Sequence, residues 1–145
     1  MDAATTAFLQ AKLYTDDVSY CLIHLPAPAI TPAAVVLAEI GMSFSALIVD
    51  KDEVTLLLPF DDWKDFQHRL PGHQEQGPYR LITFDLPLDL NLLGFMALVS
   101  RILADAQVPI LALSAFERDH LLIPADRFQT AWDALSNAQI KLAGN

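Results

Sequence analysis

Cysteine and glycine are scarce in this chain, and its basic residues are outnumbered. One cysteine, Cys21, occurs in 145 residues, so no internal disulfide can form. Its place in the apolar run from Val18 to Leu25 makes it a small buried hydrophobe and fits a reducing compartment. The five glycines stand at 41, 72, 77, 94 and 144. None of them builds a Gly-x-Gly-x-x-Gly turn or a P-loop, which argues against nucleotide-dependent catalysis. Nine lysines and arginines face 18 aspartates and glutamates, for a formal charge of -9. Such a surface repels phosphate backbones and argues against nucleic acid and anionic membranes as partners.

Targeting and spanning segments are missing too. Met1-Asp2-Ala3-Ala4-Thr5-Thr6 has no basic region ahead of an apolar stretch, so a cytoplasmic protein is expected. The apolar runs are broken at Pro32 and Glu39 and again at Arg101 and Asp105, short of the roughly 20 residues a membrane helix needs. Catalytic patterns are equally thin. Ser114 lacks the flanking glycines of a nucleophile elbow, and the adjacent Asp119 and His120 point to opposite faces of a strand. His68 and His73 enclose Pro71-Gly72 with no cysteine nearby and read as an exposed linker rather than metal ligands. Asp50, Asp52 and Glu53 lack the twelve-residue loop of a calcium site. We therefore expect no enzyme, no cofactor and no metal.

What the chain does have is a large apolar fraction, 53%, and an internal repeat. Leu56-Leu57-Leu58-Pro59-Phe60-Asp61-Asp62-Trp63 matches Leu121-Leu122-Ile123-Pro124-Ala125-Asp126-Arg127-Phe128 at an offset of 65, a duplication signal. Ile23-His24-Leu25-Pro26 matches Phe84-Asp85-Leu86-Pro87 at an offset of 61, so the second copy holds about one extra helical turn. The spacing predicts that turn in a helix over 91–106, apolar at Leu92, Phe95, Met96, Val99, Ile102, Leu103 and Ala106 and capped by Asp89 or Asn91. The first copy's helix is shorter, with Thr31 as N-cap, Pro32 at the first helical position, Ala33 to Ile40 as body and Gly41 as terminator. Hairpins follow around Asp50 to Glu53 and around Phe116 to Asp119, and closing helices start at Asp61 and Asp126.

Each copy thus reads β-α-β-β-α. The fold expected is α+β, two fused ferredoxin-like units of βαββαβ type with antiparallel sheets and helices packed on one face. Only Pro71 to Pro78 has linker composition, which gives an N-terminal unit over 1–70, a linker over 71–78 and a C-terminal unit over 79–145. The missing fourth strands are assigned to Phe8 to Tyr14 for the first copy and Gln139 to Leu142 for the second.

Three segments of the second copy, in order, carry a family resemblance: Pro87-Leu88-Asp89-Leu90-Asn91-Leu92-Leu93-Gly94-Phe95, then Ile102-Leu103-Ala104-Asp105-Ala106, then Leu113-Ser114-Ala115-Phe116-Glu117-Arg118-Asp119-His120-Leu121-Leu122-Ile123-Pro124. They resemble the ACT family, in the branch that includes the cytosolic arginine sensors of the mTOR pathway and small stand-alone bacterial ACT proteins. Residues 18 to 66 look like that family's degenerate first unit. The resemblance implies a tandem pair of ACT folds, homodimeric, that binds an amino acid and controls a protein partner without catalysis. The alternative is a dimerisation or protein-interaction module with no ligand.

An amino-acid ligand brings a carboxylate and an ammonium, and the loop from Asp89 to Gly94 offers partners for both. Free N–H groups at the start of the Asn91 helix, with Leu92 and Leu93 in its first turn, suit a carboxylate. Gly94 has no side chain to block its approach, and Asp89, Glu117 or Asp119 can accept the ammonium. Ser114, at a strand end, is a further donor or a turn hydroxyl. Phe116 covers either the ligand's aliphatic part or the core, and the core is the expectation.

Overall fold

The computed structural model describes residues 1–145. In chain order the elements are α1 (Ala3–Gln10), β1 (Lys12–Tyr14), β2 (Tyr20–Pro26), α2 (Ile30–Ile40), β3 (Ala46–Val49), β4 (Glu53–Pro59) and α3 (Phe60–Phe66). They continue with β5 (Gln74–Asp85), α4 (Phe95–Asp105), β6 (Leu111–Ser114), β7 (Asp119–Pro124) and α5 (Phe128–Ala143). The result is an α+β fold. It divides into a continuous unit, Val18–Tyr79, and a split unit, Met1–Asp17 with Arg80–Asn145.

In the continuous unit the strand order is β3-β4-β2 followed by the first half of β5, antiparallel throughout. Period-two alternation puts Cys21, Ile23 and Leu25 of β2 and Val54, Leu56 and Leu58 of β4 on one face. There they pack against Ala33 and Val36 of α2 and Trp63 of α3. Trp63 is fully buried, and its indole N–H reaches Glu75 at 2.9 Å, which gives the one polar atom of that ring a partner. Burial pushes the Cys21 thiol up to about 12, with the charge of Glu75 adding to the effect. The expected buried hydrophobe is what is found.

In the split unit the order is β6-β7-β5-β1. Ile82 and Phe84 of β5 and Leu121 and Ile123 of β7 pack beneath Phe8 of α1, Val99 and Leu103 of α4, and Leu135 of α5. Each fully buried side chain of this kind contributes about 1.5–3 kcal/mol. The N-terminal segment is tied in by polar bonds as well. Gln139 on α5 donates to the carbonyls of both Phe8 and Ala11 at 2.8 Å. The Thr15 hydroxyl donates to Leu81 O at 2.6 Å. Arg80 donates to Asp16 O at 2.7 Å and lies 4.3 Å above the Phe128 ring.

Several expectations need correction. The segment over 71–78 is not a free linker, because β5 begins at Gln74 and pairs Gln74, Glu75, Gln76 and Tyr79 with β2. It supplies the fourth strand of its unit despite its turn-like composition. Pro78 has no N–H for the ladder, and the register shifts between Tyr20 and Leu22 of β2, so the proline falls at a bulge where no donor is needed. His73 is held as well, with Nδ1 2.8 Å from Leu70 O and its ring edge-on to Trp63.

Phe8 to Tyr14 does not serve the first copy. It is the end of α1 followed by β1, and Lys12, Leu13 and Tyr14 pair with Asp85, Phe84 and Thr83 in the split unit. Gln139 to Leu142 is not a strand, since α5 runs unbroken to Ala143 with no breaking residue before Gly144. The helix read from Asn91 starts at Phe95. That of the first copy starts at Ile30 after a 3-10 turn over Ala27–Ala29, with no side-chain cap from Thr31. Pro32 sits where the helix's own N–H groups are unused, and Gly41, at φ +78°, ends the helix as expected.

Two tests follow from the continuous unit. Gly77 has φ +144°, and a Cβ there would lie 3.0 Å from Tyr20 O, so Gly77→Ala is expected to cost about 1–3 kcal/mol, read as a lower urea midpoint. Cys21 is expected to stay unmodified by Ellman's reagent in the native protein and to react stoichiometrically once the chain is unfolded.

Candidate ligand-binding site

Where α4 begins, the split unit opens into a cavity of about 330 Å³ between the 88–97 segment and the β6–β7 hairpin. Its geometry grows from two turns. Asp89 bends the chain after β5, its Oδ1 accepting from Asn91 N–H at 2.7 Å and its carbonyl from Leu92 N–H at 3.0 Å. The hairpin closes through Ala115 N–H to Arg118 O at 2.9 Å, and the two turns are joined where Leu88 N–H donates to Glu117 O at 2.6 Å.

Gly94, at φ +86°, carries the chain from the first turn into α4, which has no side-chain cap. The first intrahelical bond is Leu98 N–H to Gly94 O at 3.0 Å. The N–H groups of Phe95, Met96 and Ala97 are therefore not spent inside the helix, and all three residues line the cavity. Positive helix-end potential and donors meet there.

Of the residues read from the sequence, Asp89, Leu92 and Gly94 line the cavity on one side and Ser114, Phe116, Glu117 and Asp119 on the other. Asn91 and Leu93 do not line it. The reason is the later helix start, which leaves Asn91 in the Asp89 turn and Leu93 86% exposed. Neither Asp89 nor Asn91 caps the helix. Phe116 departs from expectation as well: it is 79% exposed on the cavity rim and covers no core. Ser114 and Asp119 face each other across the hairpin as paired residues.

Sequence reading missed Arg118 and the Phe95 to Ala97 turn. Arg118 lines the cavity but binds Asp85 at 3.0 Å and Glu117 at 3.3 Å, so its charge is already shared between two carboxylates. Its signal was its position in a hairpin of mixed charge, Glu117-Arg118-Asp119. The Phe95 turn was hidden because a glycine N-cap leaves no side-chain signature.

Beside Asp119, His120 turns to the other face of β7, where its Nδ1 lies 2.8 Å from the Thr83 hydroxyl. Burial holds its imidazole below the usual value of 6.5, against the opposing pull of Asp119, while Arg118 adds to the lowering. A smaller hollow of about 220 Å³ lies in the continuous unit between His24, Glu53, Gln74 and Gln76, among half-exposed and exposed side chains.

With the geometry in place, comparison with known proteins is informative. Residues 74–137 match the family model of the ACT domain. The matched segment runs from the start of β5 into α5 and contains every residue that lines the cavity. Among solved structures the chain is similar to a structural-genomics protein from Agobacterium tumefaciens, at 24% identity, 89% of each chain and a TM-score of 0.71. It is similar to a protein of unknown function from Vibrio cholerae, at 16% identity, 90% of this chain, 91% of that one and a TM-score of 0.69. It is also similar to the regulatory subunit of aspartate kinase from Thermus flavus, at 15% identity, 88% of this chain, 97% of that one and a TM-score of 0.68. These likenesses show a shared fold. No curated protein matches the sequence, and no helix is long and apolar enough to cross a membrane.

The His120 environment carries a pH test. Its folded value lies below the unfolded one, so the folded state binds fewer protons as pH falls from 6.5. Its contribution is present above the unfolded value and is lost as pH falls through the folded one. Stability is expected to decline on that side of neutrality, and His120→Asn is expected to flatten the decline, measured by urea melts from pH 7.5 to 5.

Proposed function

We propose that this chain is a non-catalytic regulatory protein of two fused ACT units that binds a free amino acid in the cavity of its split unit. In this reading it works in the cytoplasm, pairs with a second copy, and transmits occupancy to a protein partner. The observation that carries the reading is the coincidence of the ACT match with the cavity. The matched segment contributes the unspent N–H groups of Phe95 to Ala97. A ligand carboxylate sits against those donors, where the helix end favours negative charge. The ammonium lies between Asp89 and Asp119, with Ser114 within the same lining. The likeness in fold to an aspartate kinase regulatory subunit supports a role in which ligand occupancy biases a conformation that something else reads.

A cavity left open, with Phe116 turned outward, favours ligand binding over a module whose ancestral pocket is plugged by its own side chains. The wall chemistry also suits a zwitterion: the unspent donors of α4, the carboxylates of Asp89 and Asp119 and the buried Phe95 all belong to one lining.

A thermal-shift screen of the twenty amino acids tests the reading. A ligand at 100 times its Kd stabilises by about 2.7 kcal/mol, which for a chain of this size raises Tm by about 8 °C. We expect a selective rise with one or a few related amino acids, abolished in Asp119→Ala. No rise with any amino acid at millimolar concentration would overturn the ligand reading and leave the dimerisation or protein-interaction module.

A further inference from the structure

Two large apolar side chains stand in water at the rim of the candidate site. Leu90, on the loop before α4, is 68% exposed, and Phe116, in the turn of the β6–β7 hairpin, is 79% exposed. Both line the cavity of about 330 Å³. A single exposed leucine or phenylalanine is ordinary on a protein surface. Two around one concavity leave apolar area that an occupant can remove from water. The half-buried Leu92 and Met96 and the buried Phe95 extend the apolar part of the lining, and the methionine can adjust its shape to what lies against it.

The charged groups of the lining argue against a charged ligand side chain. Its one cation, Arg118, is held by Asp85 at 3.0 Å and Glu117 at 3.3 Å. A side-chain carboxylate on the ligand would have to take Arg118 from those partners while facing Asp89 and Asp119, and like charges at close range repel. A side-chain cation fares little better. Glu117 is paired with Arg118, and Asp89 spends Oδ1 on the Asn91 N–H at 2.7 Å. Asp119 and the rest of Asp89 serve the α-ammonium, so a second cation finds no carboxylate of its own. Ser114 is the one uncharged polar side chain of the lining.

We propose that the ligand of this cavity is an amino acid with a large, uncharged, apolar side chain, selected by Phe116 and Leu90, which its side chain covers. The inference rests on the amino-acid reading given above and adds the class of side chain to it. A volume of about 330 Å³ lies at the small end of ligand pockets, which suits one amino acid rather than a peptide. Phe116 offers a ring face to an aliphatic or aromatic side chain. Selection is then a matter of apolar area removed from water, so affinity climbs with each carbon the ligand adds. Leu93, although it is 86% exposed on the same loop, does not line the cavity and takes no part.

Isothermal titration of the full chain with alanine, 2-aminobutyrate, norvaline and norleucine tests it, because each adds one methylene to the last. The Kd is expected to fall about fourfold per step, which makes norleucine about sixtyfold tighter than alanine. Phe116→Ala and Leu90→Ala are each expected to shrink that ratio at least threefold, and Leu93→Ala to leave it unchanged. Lysine, arginine, aspartate and glutamate are expected to bind more weakly than norleucine. A flat series, a charged amino acid binding most tightly, or a ratio that Leu93→Ala shrinks as much as Phe116→Ala does overturns the side-chain class while the amino-acid reading stands. Binding by none of the twenty amino acids nor by the series overturns both.

Discussion

Everything in the fold depends on the twelve residues of β5 finding partners along their whole length. Gln74 to Tyr79 is the last strand of one unit, and Arg80 to Asp85 is the strand of the other that pairs with β1. The two halves are built differently. The first is exposed and polar apart from its junction residue. The second runs Leu81-Ile82-Thr83-Phe84, all buried, so hydrophobic burial fixes its register. Where side chains give little drive, the main-chain ladder to β2 and the Trp63–Glu75 bond hold the strand instead.

That contrast explains what was legible beforehand. Both hairpins and the helical stripes of α4 and α5 follow from periodicities that burial enforces, and they emerge within a few residues of where they lie. Gln74 to Pro78 was illegible because glycine, proline and glutamine describe a turn to any local rule, whereas here a tertiary partner imposes a strand on them. The swap of fourth strands was illegible for another reason. Lys12-Leu13-Tyr14 is too short to announce its partner, and pairing it with Thr83 to Asp85 is decided by the α1 and α5 packing around Phe8 and Gln139.

At the candidate site, the sequence pointed to the two loops that line the cavity and to a helix start four residues earlier than Phe95. Seven of the nine named residues line the cavity, because the two turns that bracket it carry recognisable Asp and Gly signals. The unspent donors belong to backbone atoms of Phe95, Met96 and Ala97, which no side-chain pattern reports. The acidic walls have a physical logic too. With Arg118 engaged by Asp85 and Glu117, the remaining positive potential comes from the helix end.

The separation between β1 and its partner bears on how the chain comes off the ribosome. The residues of the continuous unit are contiguous in sequence and can pack as soon as Tyr79 has emerged. Residues 1–17, by contrast, precede the continuous unit in sequence and have no strand to join until Asp85 is synthesised. The closing of that long loop is an entropic cost met only once the second half of β5 has been made. For β1 the order of assembly is thus the reverse of its order in the sequence.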